Sequence, residues 1–421
     1  MRGWTARSAA PGKTLGRAFA TALVAGAAGL LAAGGLSACG HAGVAGVTET
    51  PEPIHIGAIY NLTGAQAALD IPSLDGARLA VDRINSAGGL LGRRVELLER
   101  DGQTDTSIVR YDARNLARQG VTAMIGLSDT DQVLAAAPVA ASARIPFVTS
   151  GATSPLLPAE VPDWLFLACY GDNEQAAAGA EYAVTGMGAR RVAVLYDKDS
   201  GYTKLLQHYF VEAFKAYGGT VVFSRAFSTG DLDAKKLMEP ATQTDGDGDT
   251  AAPLTVHLIF VASTPEDAGP LVHKLRAAGF GQPIMGGDSF DNQALIAAAQ
   301  ESGGGVYFTT HAALGLPHSS RSMRRFSARY TAAYGRSPEN AFAALGFDTV
   351  NLVAKAIRKA KSADPEKVRD ALLAMQAFNG VTGPMSYAGD TFVPTKAVTV
   401  VSVGGTAEVA AQLTPIYVPE P

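Results

Sequence analysis

The sequence predicts an α/β protein of two Rossmann-like lobes, each a parallel sheet flanked by helices. Three observations carry this. From Ile54 onward the hydrophobic periodicity switches repeatedly between strand and helix. The order is βαβα, which builds a mostly parallel sheet covered on both faces. The pattern runs to Ser150 and starts again near Arg191, so it describes two units. The bulk numbers agree: 421 residues, 47% hydrophobic and 18% charged, is ordinary globular composition with room for more than one domain.

In the first unit, 54–60 reads as a strand ending in a turn at Asn61–Gly64. Leu74, Ala77, Val81 and Ile84 then recur at helical spacing, and Gly88 and Gly89 stop that helix. Strands follow at 95–100, 121–126 and 145–150, with helices at 107–118 and 131–142 between them. In the second unit strands are expected at 191–196, 220–226, 255–262, 283–286 and 306–310. After Thr310 the texture turns helical, at 322–334, 339–359 and 366–376. Ser337-Pro338 offers a cap and a first-turn proline for the second of these. An apolar strand at 397–403 closes the organised part.

Residues 1–38 read as a secretory signal, not fold. The basic residues Arg2, Arg7, Lys13 and Arg17 come first, with no acid in the segment, and an uncharged stretch runs from Ala18 to Ala38. It ends in Leu36-Ser37-Ala38-Cys39, which resembles a bacterial lipobox. In that pattern Cys39 receives a diacylglycerol and becomes the first residue. Gly26, Gly29, Gly34 and Gly35 weaken the competing reading, an uncleaved spanning helix. Residues 39–53, rich in Gly, Ala, Thr, Glu and Pro, read as a flexible tether.

The formal net charge is −4, and no basic stripe is visible to neutralise phosphates, which argues against nucleic acid. With Cys39 modified, Cys169 is a lone thiol that reads as a small buried side chain. The histidines are scattered, with no HExxH or CxxC spacing, no GxSxG elbow and no phosphate loop. No metal or cofactor is called for. Asp245-Gly246-Asp247-Gly248-Asp249 alternates acids like a calcium loop, but Thr250 and Val256 stand where glycine and glutamate belong, so it reads as a surface loop.

Ligands in open α/β sheets bind at loops off the C-terminal strand ends. Segment 149–155, Thr-Ser-Gly-Ala-Thr-Ser-Pro, is dense in hydroxyl and backbone donors that suit a carboxylate, and Gly151 permits close approach. Ser128 adds a hydroxyl, although Ser128, Asp129 or Thr130 equally suits a helix cap. Tyr202 in 197–203 offers a ring and a hydroxyl to a ligand. Asp288, after two glycines, suits an ammonium group, with a helix cap as its competing role.

Four blocks then show a resemblance. They are Asp75–Asn85 (DGARLAVDRIN) with Gly88–Arg93 (GGLLGR); Ile145–Thr153 (IPFVTSGAT); Val192–Asp197 (VAVLYD) with Gly201-Tyr202; and Leu275–Phe280 (LRAAGF). In order and spacing the chain resembles the type I periplasmic binding proteins of the branched-chain amino acid class, over about 54–403. The resemblance implies two lobes joined by a three-stranded hinge, 54–168 with 312–395 and 169–311 with 396–421. It implies that Ser128, Gly151 and Thr153 take a ligand's carboxylate, that Asp288 pairs with its ammonium, and that Tyr202 stands for an aromatic residue of the second lobe. It also implies binding without catalysis, a membrane ABC permease as partner and a monomer, while the lipobox-like segment implies a lipid anchor through Cys39 to the outer face of the cell membrane. Departures fall in the pocket wall: Asp288 stands for a longer glutamate, Ser263 for an aromatic residue, Leu69 for a tyrosine, and the family's amino-terminal disulfide is absent. A sensor subunit signalling to a membrane partner is the alternative, and a hydrolase using Asp288 and Ser289 a more distant one.

Overall fold

The computed structural model of the protein describes residues 51–239, 255–316, 319–387 and 392–421. The signal segment, Cys39 and the Asp245–Asp249 loop lie outside them.

The chain opens with β1 (Ile54–Tyr60), α1 (Ala67–Ser86), β2 (Val95–Asp101), α2 (Thr106–Arg118), β3 (Ala123–Gly126), α3 (Thr130–Ser142), β4 (Phe147–Thr149), α4 (Leu157–Glu160) and β5 (Leu165–Leu167). These strands form one sheet in the order β2-β1-β3-β4-β5, parallel throughout. With helices on both faces, β1 is buried almost end to end and reads as a continuous apolar run.

Next come α5 (Asp172–Thr185), β6 (Arg191–Asp197), α6 (Gly201–Ala216), β7 (Thr220–Phe227), α7 (Ala234–Leu237), β8 (Leu258–Ala262), α8 (Pro265–Ala277), β9 (Ile284–Gly286), a 3-10 turn at Asp288–Phe290, α9 (Gln293–Glu301) and β10 (Val306–Thr310). The chain ends with α10 (Arg321–Tyr334), α11 (Phe342–Ala360), α12 (Pro365–Leu373), β11 (Phe378–Gly380), β12 (Gly383–Met385), β13 (Val398–Val403) and β14 (Ala407–Leu413). The second sheet has the order β14-β13-β10-β9-β8-β6-β7. It is parallel from β10 to β7, with β13 and β14 added antiparallel.

The helices after Thr310 do not join the second sheet. Phe326 and Tyr330 of α10, Val353 and Ile357 of α11 and Val368 of α12 share one core with Ile54, Ile56 and Val81. Two glycines bring α11 onto α1. A Cβ on Gly76 would lie 1.8 Å from the Ala343 carbonyl oxygen, and one on Gly346 would lie 1.8 Å from that of Ser73. The helices therefore meet backbone to backbone at both points.

Three readings change in detail. Organised structure continues past Val403: the half-exposed β14 pairs with β13 as an edge strand, and Ala407–Leu413 carries little β-forming signal of its own. The helix foreseen at 339–359 starts at Phe342, so Ser337-Pro338 is not its cap. Asn340 Oδ1 instead accepts from the Phe342 N–H, and Asp291, just after the 3-10 turn that follows β9, accepts from the Ala341 N–H at 3.0 Å. Strand β5 and helix α4 are too short to stand out in the sequence.

Candidate functional site

The C-terminal ends of the two sheets face one narrow cavity. Gln66, Leu69, Ser128, Asp129 and Phe342 line it from the first lobe, and Tyr202, Pro265, Asp288 and Ser289 from the second. The lobes already touch beside it, where the Gly201 N–H donates to Asp131 Oδ2 at 3.0 Å.

Strain sets Ser128 in place. Gly126 closes β3 at φ +123°, where a Cβ would meet the Ile59 carbonyl oxygen at 1.8 Å, and Leu127 follows with φ 59°. A leucine in the left-handed region is uncommon and concentrates at functional turns. The turn is pinned because the Leu127 N–H donates to Ile59 O, while Leu127 O accepts from Thr149 Oγ1 and the Gly151 N–H. Helix α3 is capped by Asp129, which accepts from the N–H groups of Asp131 and Gln132, leaving Ser128 out of that role. The Ser128 hydroxyl donates to Asp70 Oδ1, and Asp70 Oδ2 accepts from the Asn61 N–H and Nδ2. Burial pushes the Asp70 carboxyl up to about 7 against these bonds.

Of the 149–155 loop, Gly151 packs under Phe342: a Cβ there would lie 2.6 Å from Phe342 Cε1 and 3.2 Å from Ser128 Oγ. Thr153 Oγ1 donates to Asp172 Oδ1 at 2.7 Å. Ala152 N–H donates to Thr149 Oγ1, and the Ser150 N–H to Gly126 O.

On the other side, Tyr202 sits in the first turn of α6, and its hydroxyl donates to Asp288 Oδ1 at 2.8 Å. Gly287 makes that approach possible, because a Cβ there would stand 2.5 Å from the Tyr202 oxygen. Asp288 opens the 3-10 turn, and α9 is capped by Asn292 instead. The sequence therefore left Asp288 and Tyr202 as separate hints that the fold joins directly.

Residues not foreseen complete the network. Gln175 Nε2 donates to both Asp288 Oδ1 (3.1 Å) and Asp172 Oδ1 (2.8 Å), and its Oε1 accepts from Thr309 Oγ1 and the Asp288 N–H. His311 Nε2 lies 2.9 Å from Asp288 Oδ2, and its ring stacks on Tyr170 at 3.9 Å between centroids. Burial outweighs the Asp288 contact and pushes the imidazole down, so the contact is a hydrogen bond from a neutral ring. Burial first, and the Asp288 charge second, push Asp172 up to about 8. Asp172 and Gln175 lie in the first turn of α5, soon after β5, and His311 directly follows β10. The strand-end rule extended to 168–175 and 311 would have reached them.

Cys169 is fully buried, its thiol directed at Ala152 O and pushed up by burial, which makes it unreactive. Among the described residues no group of three or more His, Cys, Asp or Glu is placed to hold a metal ion, and no helix is long and apolar enough to cross a membrane.

Two sheets of this topology, with polar loops meeting over a cleft, define a two-lobed solute-binding protein. The chain belongs to the periplasmic binding protein family, whose model matches residues 53–408. It is 28% identical over 339 residues to the Leu/Ile/Val-binding protein BraC3 of Rhizobium johnstonii, covering 80% of this chain and 88% of that one. Among solved structures it is similar to the branched-chain amino acid transporter substrate-binding protein LivJ of Streptococcus pneumoniae in complex with isoleucine (29% identity, TM-score 0.74, 86% of this chain and 100% of that one). It is also similar to the leucine-binding protein LivK of Thermotoga maritima (27% identity, TM-score 0.76, 86% and 99%). The fold expectation of two α/β lobes with parallel sheets flanked by helices is met.

Proposed function

We propose that this protein is the substrate-binding subunit of an ABC importer and that it closes its lobes around a small, amine-bearing, amino-acid-like ligand. The observation that carries this is a cavity lined from both lobes, with Asp288 and Tyr202 on one wall and Ser128, Leu69 and Phe342 on the other. A ligand there touches both lobes at once, so its binding energy favours the closed form over the open one. Asp288 receives the ammonium group, and Tyr202 orients the carboxylate through its hydroxyl. Ser128 stands on the opposite wall, with Gly151 packed behind Phe342 and Thr153 turned to Asp172. Leu69 and Phe342 supply apolar surface.

Lobe one comprises 54–168 with 312–395, lobe two 169–311 with 396–421, and closure bends the three crossings. Lys396 on the third crossing donates to Ala168 O on the first, which ties the hinge segments together. The closed protein docks as a monomer on a membrane permease and catalyses nothing. The leucine-serine-alanine-cysteine segment supports a lipid on Cys39 that holds it at the outer face of the membrane.

Small-angle scattering with and without a panel of amines and amino acids tests the reading. A ligand that raises the melting temperature should also shrink the radius of gyration. A ligand that stabilises the protein with no contraction would rule out closure around it.

A further inference from the structure

The cleft's hydrogen-bond donors and acceptors are unequally spent, and this bears on the ligand's second polar group. A serine hydroxyl holds one proton, and that of Ser128 goes to Asp70 Oδ1. The Thr153 proton goes to Asp172 Oδ1. The N–H groups of Ser150, Gly151 and Ala152 are directed at Gly126 O, Leu127 O and Thr149 Oγ1. The wall that looked like a carboxylate cradle thus has these donors committed within the protein.

Acceptors remain. The Ser128 oxygen keeps its lone pairs, and Asp129 lines the cavity with its Oδ2 only 3.5 Å from Gln66 Nε2, a long contact. No Lys, Arg or His lines the cavity, while Asp129 and Asp288 both do. A ligand carboxylate beside Ser128 would face the Asp70 carboxyl directly behind it, and at pH values above about 7, where Asp70 is ionised, the two charges repel. The titratable groups around Asp70 are Asp129 and Tyr60, and neither supplies a positive charge.

We propose that the cleft selects amino-acid amides over free amino acids: the ammonium group binds at Asp288 and the carboxamide N–H groups donate to Ser128 and Asp129. This rests on the reading of the cleft as the ligand site. A buried acceptor discriminates strongly between a ligand that donates to it and one that repels it, because the mismatch leaves desolvated groups unpaired.

The test titrates the full chain with matched sets: alanine, leucine and phenylalanine, their amides, and their methyl esters. Melting temperature and calorimetry are the readouts. The amide of at least one set should bind about tenfold or more tighter than its acid, as expected for one charge-assisted hydrogen bond gained and one repulsion avoided. The ester, neutral but without a donor, should bind more weakly than the amide. An ester as tight as the amide would overturn the role of donation without any mutant. Asp70→Asn keeps an acceptor for Asn61 and turns an amide N–H toward Ser128, which frees the serine proton. It should therefore shift the preference toward the acid by about tenfold, and an unchanged ratio overturns the role given to Asp70. An acid that binds as tightly as its amide overturns the selectivity and leaves the cleft reading standing. If no member of any set binds, the assignment of Asp288 to an ammonium group fails as well.

Discussion

Replacing Asp288 by asparagine separates ligand binding from folding. In the native network Oδ1 accepts from Tyr202 and Gln175, and Oδ2 faces His311 Nε2 at 2.9 Å. An asparagine oxygen in the Oδ1 position keeps the first two bonds. Its NH2 group then meets His311, whose ring is already held neutral by burial and whose Nδ1 has no partner, so the proton moves to Nδ1 and Nε2 accepts. The variant also removes the Asp288 charge that helps push Asp172 up. Its stability should stay within about 1 kcal/mol of wild type, because hydrogen bonds are exchanged and none is abandoned. The ligand fares differently. A charge-assisted bond to the ammonium group is worth about 1.5–3 kcal/mol, and the new NH2 group presents a donor to a donor. At about 1.4 kcal/mol per tenfold, affinity should fall roughly 10- to 100-fold. Calorimetry with the best amine ligand measures this, with thermal unfolding of the ligand-free variant as the control. An Asp288→Asn protein that melts normally and binds within about threefold of wild type would refute the ammonium assignment.

Gly287→Ala should lower affinity while leaving the fold, because its Cβ displaces the Tyr202 hydroxyl from 2.5 Å away and so breaks the orienting bond to Asp288; near-UV circular dichroism and calorimetry report the two effects. The ligand-free protein should lose stability as pH rises. Burial raises Asp129 and Asp291 to about 6, Asp70 to about 7 and Asp172 to about 8, all from an unfolded value of 3.8. The folded state then holds more protons than the unfolded chain across that interval, so the stabilisation present at acid pH is lost as pH climbs through these values. Glu174, raised to about 7, adds to them; His311, pushed down from 6.5, acts oppositely below that value, and Lys396, lowered from 10.5 to about 8, does so only near and above pH 8. A melting temperature that climbs steadily from pH 5 to pH 8 would contradict this sign. Finally, Cys39→Ser should abolish incorporation of radiolabelled fatty acid and release the protein from the membrane fraction, whereas retained label would place the lipid elsewhere.

The amino-acid sequence alone determined the alternation of strands and helices, because periodicity, caps and stop glycines act over a few residues. Gly88 and Gly89 end α1 by adopting φ +94° and +79°, as their spacing predicts, and Asp129 caps α3 from among three candidates that local chemistry allowed. The strand-end rule also drew attention to Ser128, Tyr202 and Asp288, all of which line the cavity. Which of their atoms remain available was decided only by the tertiary structure. Gln175 reaches Asp288 across 113 residues, Asp70 reaches Ser128 across 58, and Asp291 holds the Ala341 N–H just before α11 from 50 residues away. A hydroxyl has one proton to give, and the fold settles its recipient by bringing one acceptor within about 3 Å. No local pattern records that choice, so a loop that reads as a carboxylate cradle in sequence becomes, once folded, a wall whose Ser128 and Thr153 hydroxyls turn to buried aspartates and whose Ser150, Gly151 and Ala152 N–H groups turn to its own chain.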